Sequence, residues 1–417
     1  MGESLLAARE ALCQKQKRES DMYDYDVIIV GGGPTGFVTA LGLAQAGVKV
    51  CVMETEEEIA SSPRAAVYHW SVLDGLERLG IREEAERIGF AKSDYLWLVK
   101  KTGEEIRYDL SVLQGRTAYP YNIHLGQDRL AAIARDRLEA LPNADIRFGT
   151  GMITLAQDAD GARVSVEGPD GIEFLSCRYV VGADGAGSLV RKTLGLGFDG
   201  MTWPERFVAT NVYHDFESAG YDRTTMVIDD QWGAVIVKID EEGLWRCTYM
   251  EDAALPERDY LQRLACTYKH LLVGQGSHRL DRAAPYRMHQ RAAESFRKGR
   301  VVLAGDAAHV TNPTGGYGLT TGLFDAYALW PTLAAIVLDG ADPALLDMYA
   351  EERRRIYLER TSPKAIANKQ LVFHACGGGT ALENALDGLR LMARDPDARR
   401  NGLWFVKTLE TPSPVEA

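Results

Sequence analysis

Residues 26–36 read DVIIVGGGPTG, and this stretch decides the fold. The apolar run 26–30 predicts a short buried strand. Gly31, Gly33 and Gly36 follow with the spacing G-x-G-x-x-G, which suits a tight turn, the close approach of a pyrophosphate and the close packing of a helix on a strand. We therefore predict a strand, a glycine turn and a helix.

The next elements complete a dinucleotide-binding unit. A helix is predicted from Pro34 to Ala46 and a second strand over 48–53, which ends at Glu54. Glu54 lies about 20 residues beyond the glycines, where an acid binds ribose hydroxyls. An acid here favours an unphosphorylated ribose, as in FAD or NAD. The alternative is that the turn only connects a strand to a helix and that Glu54 is a solvated carboxylate.

A second motif occupies residues 179–191, which read YVVGADGAGSLVR. Its pattern predicts a strand, a turn at Asp184 and the start of a helix. Asp184 could accept hydrogen bonds from a ligand or cap the turn. Arg191 could pair with it or meet a nucleotide phosphate.

A third motif occupies residues 299–309, GRVVLAGDAAH, and is followed by NPTGGYG over 312–318. The apolar run ends at Gly305 and Asp306. The glycine-rich turn then leads into a helix that starts near Leu319, and its N-terminal N–H groups can hold an anionic or electron-accepting group.

Together these motifs resemble those of the single-component FAD-dependent aromatic hydroxylases, the para-hydroxybenzoate hydroxylase-like class A flavoprotein monooxygenases. The resemblance spans about residues 26–330. It implies an α/β fold in which a Rossmann-like FAD-binding domain carries an inserted antiparallel β-sheet substrate domain and is followed by C-terminal helices.

The resemblance also implies a set of cofactor-binding residues. These are Gly31, Gly33, Pro34, Thr35, Gly36, Glu54, Arg64, Gln127, Asp184, Asp306, Gly316, Gly318 and Leu319. Glu54 would bind the adenosine ribose and Asp306 the ribityl chain, and Pro313 would lie near the reacting carbon as a catalytic residue. For Arg64 a surface charge, and for Gln127 an ordinary polar helix start, remain alternatives. Thr320 stands where the family usually has asparagine.

The implied activity is an FAD-dependent monooxygenation of a phenolic or related electron-rich aromatic ring. NADPH or NADH would be the co-substrate, and O2 would react to give a flavin C4a-hydroperoxide. One alternative is a flavoprotein reductase or epoxidase acting on an alkene or polyprenyl substrate. Another is a flavin-binding protein without turnover.

The sequence indicates the residues of a substrate site less strongly than those of the cofactor site. His214, Tyr249 and Arg246 are candidate catalytic residues, because a histidine or tyrosine can deprotonate a phenol and an arginine can pair with a carboxylate. Candidate substrate-binding residues are Tyr213, Trp232 and Tyr317. For each of these, an ordinary role in the core or in an internal ion pair remains the alternative.

Four parts are predicted along the chain. An N-terminal extension covers 1–23, and the FAD-binding domain is discontinuous over 24–95, 120–200 and 298–340. The substrate domain covers 96–119 and 201–297, with strands at 224–228, 233–239 and 244–249. A helical region, broken at the glycines 377–379, covers 341–417.

The composition of the chain argues against several classes of partner and site. The net charge of −12 argues against binding to nucleic acid. No apolar run approaches the length of a membrane span, and the first 24 residues do not resemble a signal peptide, so a cytoplasmic protein is expected. The six cysteines are interpreted as buried thiols and not as a metal site. The basic run 353–355 is expected on an exposed helix face, and the C-terminal helices could pack a homodimer.

Overall fold

The computed structural model describes residues 22–60, 66–272 and 277–415. The predicted N-terminal extension lies almost wholly outside these ranges. The strands in chain order are β1 Tyr25–Val30, β2 Val50–Met53, β3 Val67–Tyr68, β4 Phe90–Lys92, β5 Asp94–Val99, β6 Glu104–Asp109, β7 Asn122–His124, β8 Ala144–Arg147, β9 Gly151–Gln157, β10 Ala162–Gly168, β11 Gly171–Gly182, β12 Phe198–Tyr213, β13 Thr224–Ile228, β14 Ala234–Lys238, β15 Leu244–Asp252, β16 Arg279–Ala293, β17 Arg297–Lys298, β18 Val301–Leu303 and β19 His309–Val310.

Helices cover the sheets and form most of the chain beyond residue 316. In chain order they are α1 Pro34–Gln45, α2 Leu73–Arg78, α3 Arg82–Ile88, α4 Gln127–Glu139, α5 Leu189–Thr193, α6 Tyr260–Leu271, α7 Tyr317–Ala334, α8 Leu345–Ile356, α9 Ser362–His374, α10 Gly379–Arg394 and α11 Pro396–Trp404.

The first sheet is the scaffold that the glycine motif predicts. Its order is β17-β18-β11-β1-β2-β8, and β10 and β9 extend it from β11. The pairs among β18, β11, β1, β2 and β8 are parallel. β1 is buried throughout, which explains its continuous apolar sequence, because helices cover both faces of a parallel sheet.

The second sheet is largely antiparallel and has the order β19-β16-β12-β15-β14-β13-β5-β6. One of its faces packs under α6, around Trp245, Cys247 and Tyr268. Its other face packs against α9 and α10, around Phe207, Met226 and Phe373. A third, small sheet has the order β3-β7-β4.

Helix α7 is the central helix of the core. With the π-helical turns that continue it, the run Tyr317–Asp339 is long and apolar enough to cross a membrane by length and composition, and 83% of its most apolar window is buried inside the protein. The expectation that no apolar run approaches this length is therefore wrong. The burial is what a core helix of this length requires. α1 approaches α7 so closely that a Cβ on Gly42 would lie 2.5 Å from the Trp330 ring.

Most predicted elements are confirmed. β1, α1 and β13 match within one residue, and the break at the glycines 377–379 separates α9 from α10. Two further expectations are wrong. Arg353 is completely buried, because it pairs with a buried carboxylate on α7, and Cys266 is exposed on α6. Cys51, Cys177 and Cys247 are buried as expected, and Cys13 lies outside the described residues.

Candidate active site

The carboxyl ends of four parallel strands meet at one edge of the first sheet. Val30 lies beside Met53 and beside Gly182, and Gly182 lies beside Leu303. The residues that follow these strand ends belong to the glycine turn, to Glu54 and to the two later motifs. Ligands of open α/β sheets bind outside this edge, where the strand order reverses. The fold therefore brings the three sequence motifs to one place.

The glycines of the first turn serve different purposes. A Cβ on Gly31 would lie 2.4 Å from the carbonyl oxygen of Ala183, and one on Gly36 would lie 2.0 Å from that of Gly31. At these two positions the backbone of the protein fills the space that a side chain would need. A Cβ on Gly33 would meet no atom within 4 Å. Gly33 is the residue before α1, so the open space lies at a helix N-terminus, where a pyrophosphate fits.

Glu54 lies against this turn. Its Oε2 accepts a hydrogen bond of 2.8 Å from the Gly32 N–H, and its Oε1 accepts one of 3.0 Å from the Glu56 N–H. These bonds fix the carboxylate at the edge of the open space, and its partial exposure leaves it accessible to a ribose.

Asp306 lies on the turn that follows β18. Its neighbours on both sides are buried, whereas Asp306 is exposed. Gly305 has a φ of +60°, and a Cβ there would lie 2.7 Å from Oγ1 of Thr35. The third motif therefore touches the first, and Asp306 lies beside the glycine turn.

A buried ionic network on the core side of the Asp306 turn stabilises that turn. Asp325 on α7 accepts hydrogen bonds from the Gly305 N–H at 2.9 Å, from Nε2 of His309 at 2.7 Å and from Nε of Arg353 at 2.7 Å. Burial opposes the charge on Asp325, but His309 and Arg353 hold its pKa below the usual value. The turn, α7 and α8 are thus joined through one carboxylate.

Asp184 caps its own turn. Its Oδ1 accepts a 2.6 Å bond from Ser188, and its Oδ2 accepts bonds from the N–H groups of Leu189 and Val190. Arg191 donates 2.7 Å and 2.8 Å hydrogen bonds to the carbonyls of Ala307 and Ala186. Arg191 therefore holds the two later motifs together, whereas Asp184 stabilises its own turn.

The second glycine turn begins α7. Gly315 and Gly316 have φ values of +106° and +73°, a region that suits glycine. α7 starts at Tyr317, two residues before the predicted Leu319, and its positive end faces this turn. Pro313, just before the turn, is exposed. The open space at Gly33, the exposed Asp306 and this helix end fit an extended flavin dinucleotide.

Arg246 lies between the second sheet and the start of α4. Its Nε donates to Oδ1 of Asn211 at 3.2 Å, and it interacts electrostatically with Tyr286, Asp128 and Tyr68. Burial lowers its pKa to about 10. Gln127, which begins α4, is partly exposed.

The structure does not bring the other substrate-side candidates to this place. Tyr249 is buried with Cys247 and Tyr268 on the opposite face of the sheet, because side chains alternate along β15. Trp232 stacks on His270 of α6 with ring centroids 3.9 Å apart. His214 contacts the ring of Phe216, a member of that same cluster, and Tyr213 lies under the guanidinium of Arg279 at 3.9 Å. These positions do not support the catalytic roles of His214 and Tyr249, which stay predictions.

Known proteins resemble the chain over most of its length. A model of the FAD-binding domain family matches residues 24–361. The chain is 43% identical to 6-hydroxy-3-succinoylpyridine 3-monooxygenase of Pseudomonas putida, over 92% of this chain and 98% of that protein. It is 43% identical to para-nitrophenol 4-monooxygenase of a Pseudomonas strain, over 82% of this chain and 86% of that protein. The crystal structure of p-nitrophenol 4-monooxygenase from Pseudomonas putida matches with a TM-score of 0.88 and 39% identity, over 92% and 98% of the two chains.

The chain belongs to the FAD-binding domain family. It is an FAD-dependent aromatic monooxygenase that consumes NAD(P)H, as the three motifs predicted. The roles of individual residues in this monooxygenase stay predictions. Arg64 lies outside the described residues.

Apart from Tyr317, sequence reasoning missed a group of buried and partly buried side chains near the second glycine turn of the monooxygenase. We call it the buried polar cluster; its members are His69, Lys92, Tyr95, Tyr108, Asn122 and Tyr317. Nδ1 of His69 lies 2.8 Å from Oγ1 of Thr320 on α7, and its ring stacks on that of Tyr317. Thr320 thus holds a histidine at the position where the family usually has asparagine.

Burial sets the protonation of this cluster. It raises the pKa of Tyr317 to about 12, and it raises the pKa of Tyr95 and Tyr108 further. It lowers the pKa of His69 to about 4, with the charge of Lys92 as the next cause. The tyrosines are therefore protonated and His69 is neutral near pH 7. Alternation over 94–99 and 104–109 could have indicated the two strand tyrosines, but no pattern indicates His69 or Lys92.

Proposed function

We propose that this monooxygenase hydroxylates a small, single-ring phenol or hydroxypyridine. One observation carries the proposal: the phenol group of Tyr317 lies at the second glycine turn, where the flavin ring would lie, and the neighbouring rings of Tyr95 and Tyr108 belong to the same buried polar cluster. Both relatives with 43% identity are named for aromatic substrates that have a single ring with a hydroxyl group on it.

FAD supplies the electron transfer from NAD(P)H and the activation of O2. The protein binds and orients this cofactor. Gly31, Gly33, Pro34, Thr35 and Gly36 would shape the pyrophosphate site at the start of α1, Glu54 would bind the ribose, and Asp306 would bind the ribityl chain. Asp184 and Gln127 would complete the site. The N-terminus of α7, with Gly316, Gly318 and Leu319, would stabilise negative charge on the reduced ring.

The substrate ring would lie between the second sheet and the turn that contains Pro313. Protonated tyrosines such as Tyr317 can donate hydrogen bonds to a ring oxygen. Arg246, on the FAD-facing side of the second sheet, can pair with an acidic substituent. The surrounding core would exclude water from the bound ring, and we expect this exclusion to limit the unproductive release of peroxide.

The test is a substrate screen on purified flavoprotein with labelled O2. 4-Nitrophenol and a 6-hydroxypyridine with an acidic side chain would be compared with benzene, a ring without a hydroxyl group. Stimulated NAD(P)H oxidation, label in the product and little peroxide are expected with the two hydroxylated rings only. Bound FAD without stimulation by any hydroxylated ring would contradict the proposal.

Three further assignments belong to this proposal: a cytoplasmic location, assembly as a homodimer, and the division into FAD-binding and substrate domains. The second sheet takes most of its strands from 94–109, 198–252 and 279–293, which supports that division, and one from 309–310, within the range predicted for the FAD-binding domain. Sedimentation of the holoenzyme would test the homodimer.

A further inference from the structure

Lys92 is a buried cation whose ammonium nitrogen has no hydrogen-bond partner among the described residues. Its side chain belongs to a residue that is only 3% exposed. The other buried lysines differ: Lys238 donates to Glu217 and Glu241, and Lys369 donates to Glu205. A buried ammonium without a partner is costly, so its presence needs a reason.

Among the described residues, the surroundings of Lys92 compensate this charge only in part, because its nearest contact is the face of an aromatic ring. Its Nζ lies 3.9 Å from the centroid of the Tyr95 ring. Asp94 and Asp222 are near enough to raise its pKa, but Asp94 accepts the Arg223 N–H and Asp222 pairs with Arg107. Burial is the largest effect and lowers the pKa of Lys92 to about 7. The charge of Arg223 acts in the same direction, and His124, also close, is kept neutral.

Lys92 is also linked to the second glycine turn. Lys92 pairs with Asn122 across β4 and β7, and Oδ1 of Asn122 accepts a hydrogen bond of 2.9 Å from the N–H of Trp70, the residue after His69. A Cβ on Gly316 would lie 3.3 Å from Cε1 of His69. The path from the turn to His69 and then to Lys92 runs through the buried polar cluster, where the proposed function places the substrate.

We propose that Lys92 recognises the ionised ring oxygen of the substrate, so that the enzyme takes acidic phenols and hydroxypyridines as their anions. This rests on the proposed function and narrows its substrate class. A neutral phenol would transfer its proton to the neutral amine, and a phenolate would meet the ammonium. Both routes end in the same ammonium–phenolate pair, with no other reactant needed. The anion is the more electron-rich ring and is the better target for an electrophilic oxygen.

The test compares two isosteric probes on the holoenzyme. 4-Nitrophenol can ionise and 4-nitroaniline cannot. We expect wild-type enzyme to bind nitrophenol with the absorption band of its anion, and Lys92→Met to bind it roughly 10- to 100-fold more weakly and as the neutral phenol. Binding of nitroaniline should stay within about twofold in the variant. Lys238→Met, which removes a buried ammonium on the opposite face, should leave the affinity ratio of the two probes unchanged.

A second readout does not depend on the probes. Since the folded-state pKa of Lys92 is lowered, the unfolded chain binds the extra proton between about pH 7 and 10.5, and the folded state gains stability as the pH rises through that window. Lys92→Met should therefore have a higher Tm than wild type at pH 7, and the difference should shrink towards pH 10. A lower Tm in Lys92→Met and in Lys92→Gln would show a structural role and overturn the proposal.

The outcomes separate the two proposals. If wild-type enzyme and Lys92→Met both bind nitrophenol as its anion with equal affinity, the proposed role of Lys92 is refuted and the proposed substrate class is not. If wild-type enzyme binds neither probe, both the proposed substrate class and the proposed role of Lys92 are refuted.

Discussion

At the scale of single residues, the same residue type can serve the fold or the ligand. Gly36 is closed in by the carbonyl of Gly31, whereas Gly33 faces open space. The G-x-G-x-x-G pattern does not distinguish these roles. The distance from a hypothetical Cβ to its neighbours does, because it separates space that the protein fills from space that it leaves for a cofactor.

Replacing Gly33 and Gly36 by alanine should therefore give different results. Gly33→Ala should fold with a Tm close to that of the wild-type apoprotein and bind little FAD, since its methyl group occupies the pyrophosphate space. Gly36→Ala should lose about 1–3 kcal/mol of stability from overpacking. Thermal unfolding and the flavin content of the purified proteins would check both. Normal FAD content in Gly33→Ala would contradict the assignment.

Asp306→Ala should purify with little or no FAD, because its exposed carboxylate is assigned to the ribityl hydroxyls. Asp170→Ala, which removes an exposed carboxylate in the turn between β10 and β11, should retain FAD. Titration of each apoprotein with FAD, followed by flavin fluorescence, would measure the difference. Full retention in Asp306→Ala would remove the ribityl assignment.

At the scale of elements, the Asp306 turn depends on a contact between helices. Arg353 on α8 donates to Asp325 on α7, to the carbonyl of Leu409 at 2.7 Å and to that of Thr321 at 3.1 Å. The sequence placed Arg353 on an exposed face because its neighbours are arginines. Only the packing of α8 against α7 shows that one of the three faces inward.

Arg353→Met should lower the free energy of unfolding by about 3–5 kcal/mol, because it leaves a buried carboxylate without its main cation. It should also weaken FAD binding, since Asp325 supports the Gly305–Asp306 turn. Arg355→Met, which breaks exposed ion pairs with Glu352 and Glu359, should cost no more than about 1 kcal/mol. Chemical denaturation would measure the free energy of unfolding of both variants, and FAD titration would measure their affinity for the cofactor. Equal stability of the two would contradict the network.

At the scale of the whole molecule, the C-terminal segment closes the core around α7. Val406, Leu409 and Ser413 are buried, and Oγ of Ser413 lies 2.9 Å from Oγ1 of Thr332. The chain therefore completes the environment of the cofactor-binding helix with residues that lie far from every motif.

A truncation that removes residues 405–417 should lower the Tm and the FAD content together, because it exposes α7 and removes two hydrogen-bond partners of Arg353. A truncation of residues 415–417 is the control and should change neither property. Unfolding followed by flavin fluorescence would check both proteins. Retention of FAD at an unchanged Tm in the longer truncation would show that the segment is dispensable.

The sequence by itself determined the first sheet, the position of the three motifs and the cofactor, because a glycine turn between a strand and a helix is a local signal with a known ligand. It could not decide which side chains of the second sheet share a face with Arg246; Tyr249 and Trp232 pack on the other side, against α6. It also could not show that His69, from a separate segment, lies beside a turn near residue 316, or that Lys92 is buried over the ring of Tyr95. These placements follow from how the three sheets pack on one another, and burial in that packing, not any local pattern, leaves the ammonium of Lys92 without a hydrogen-bond partner among the described residues.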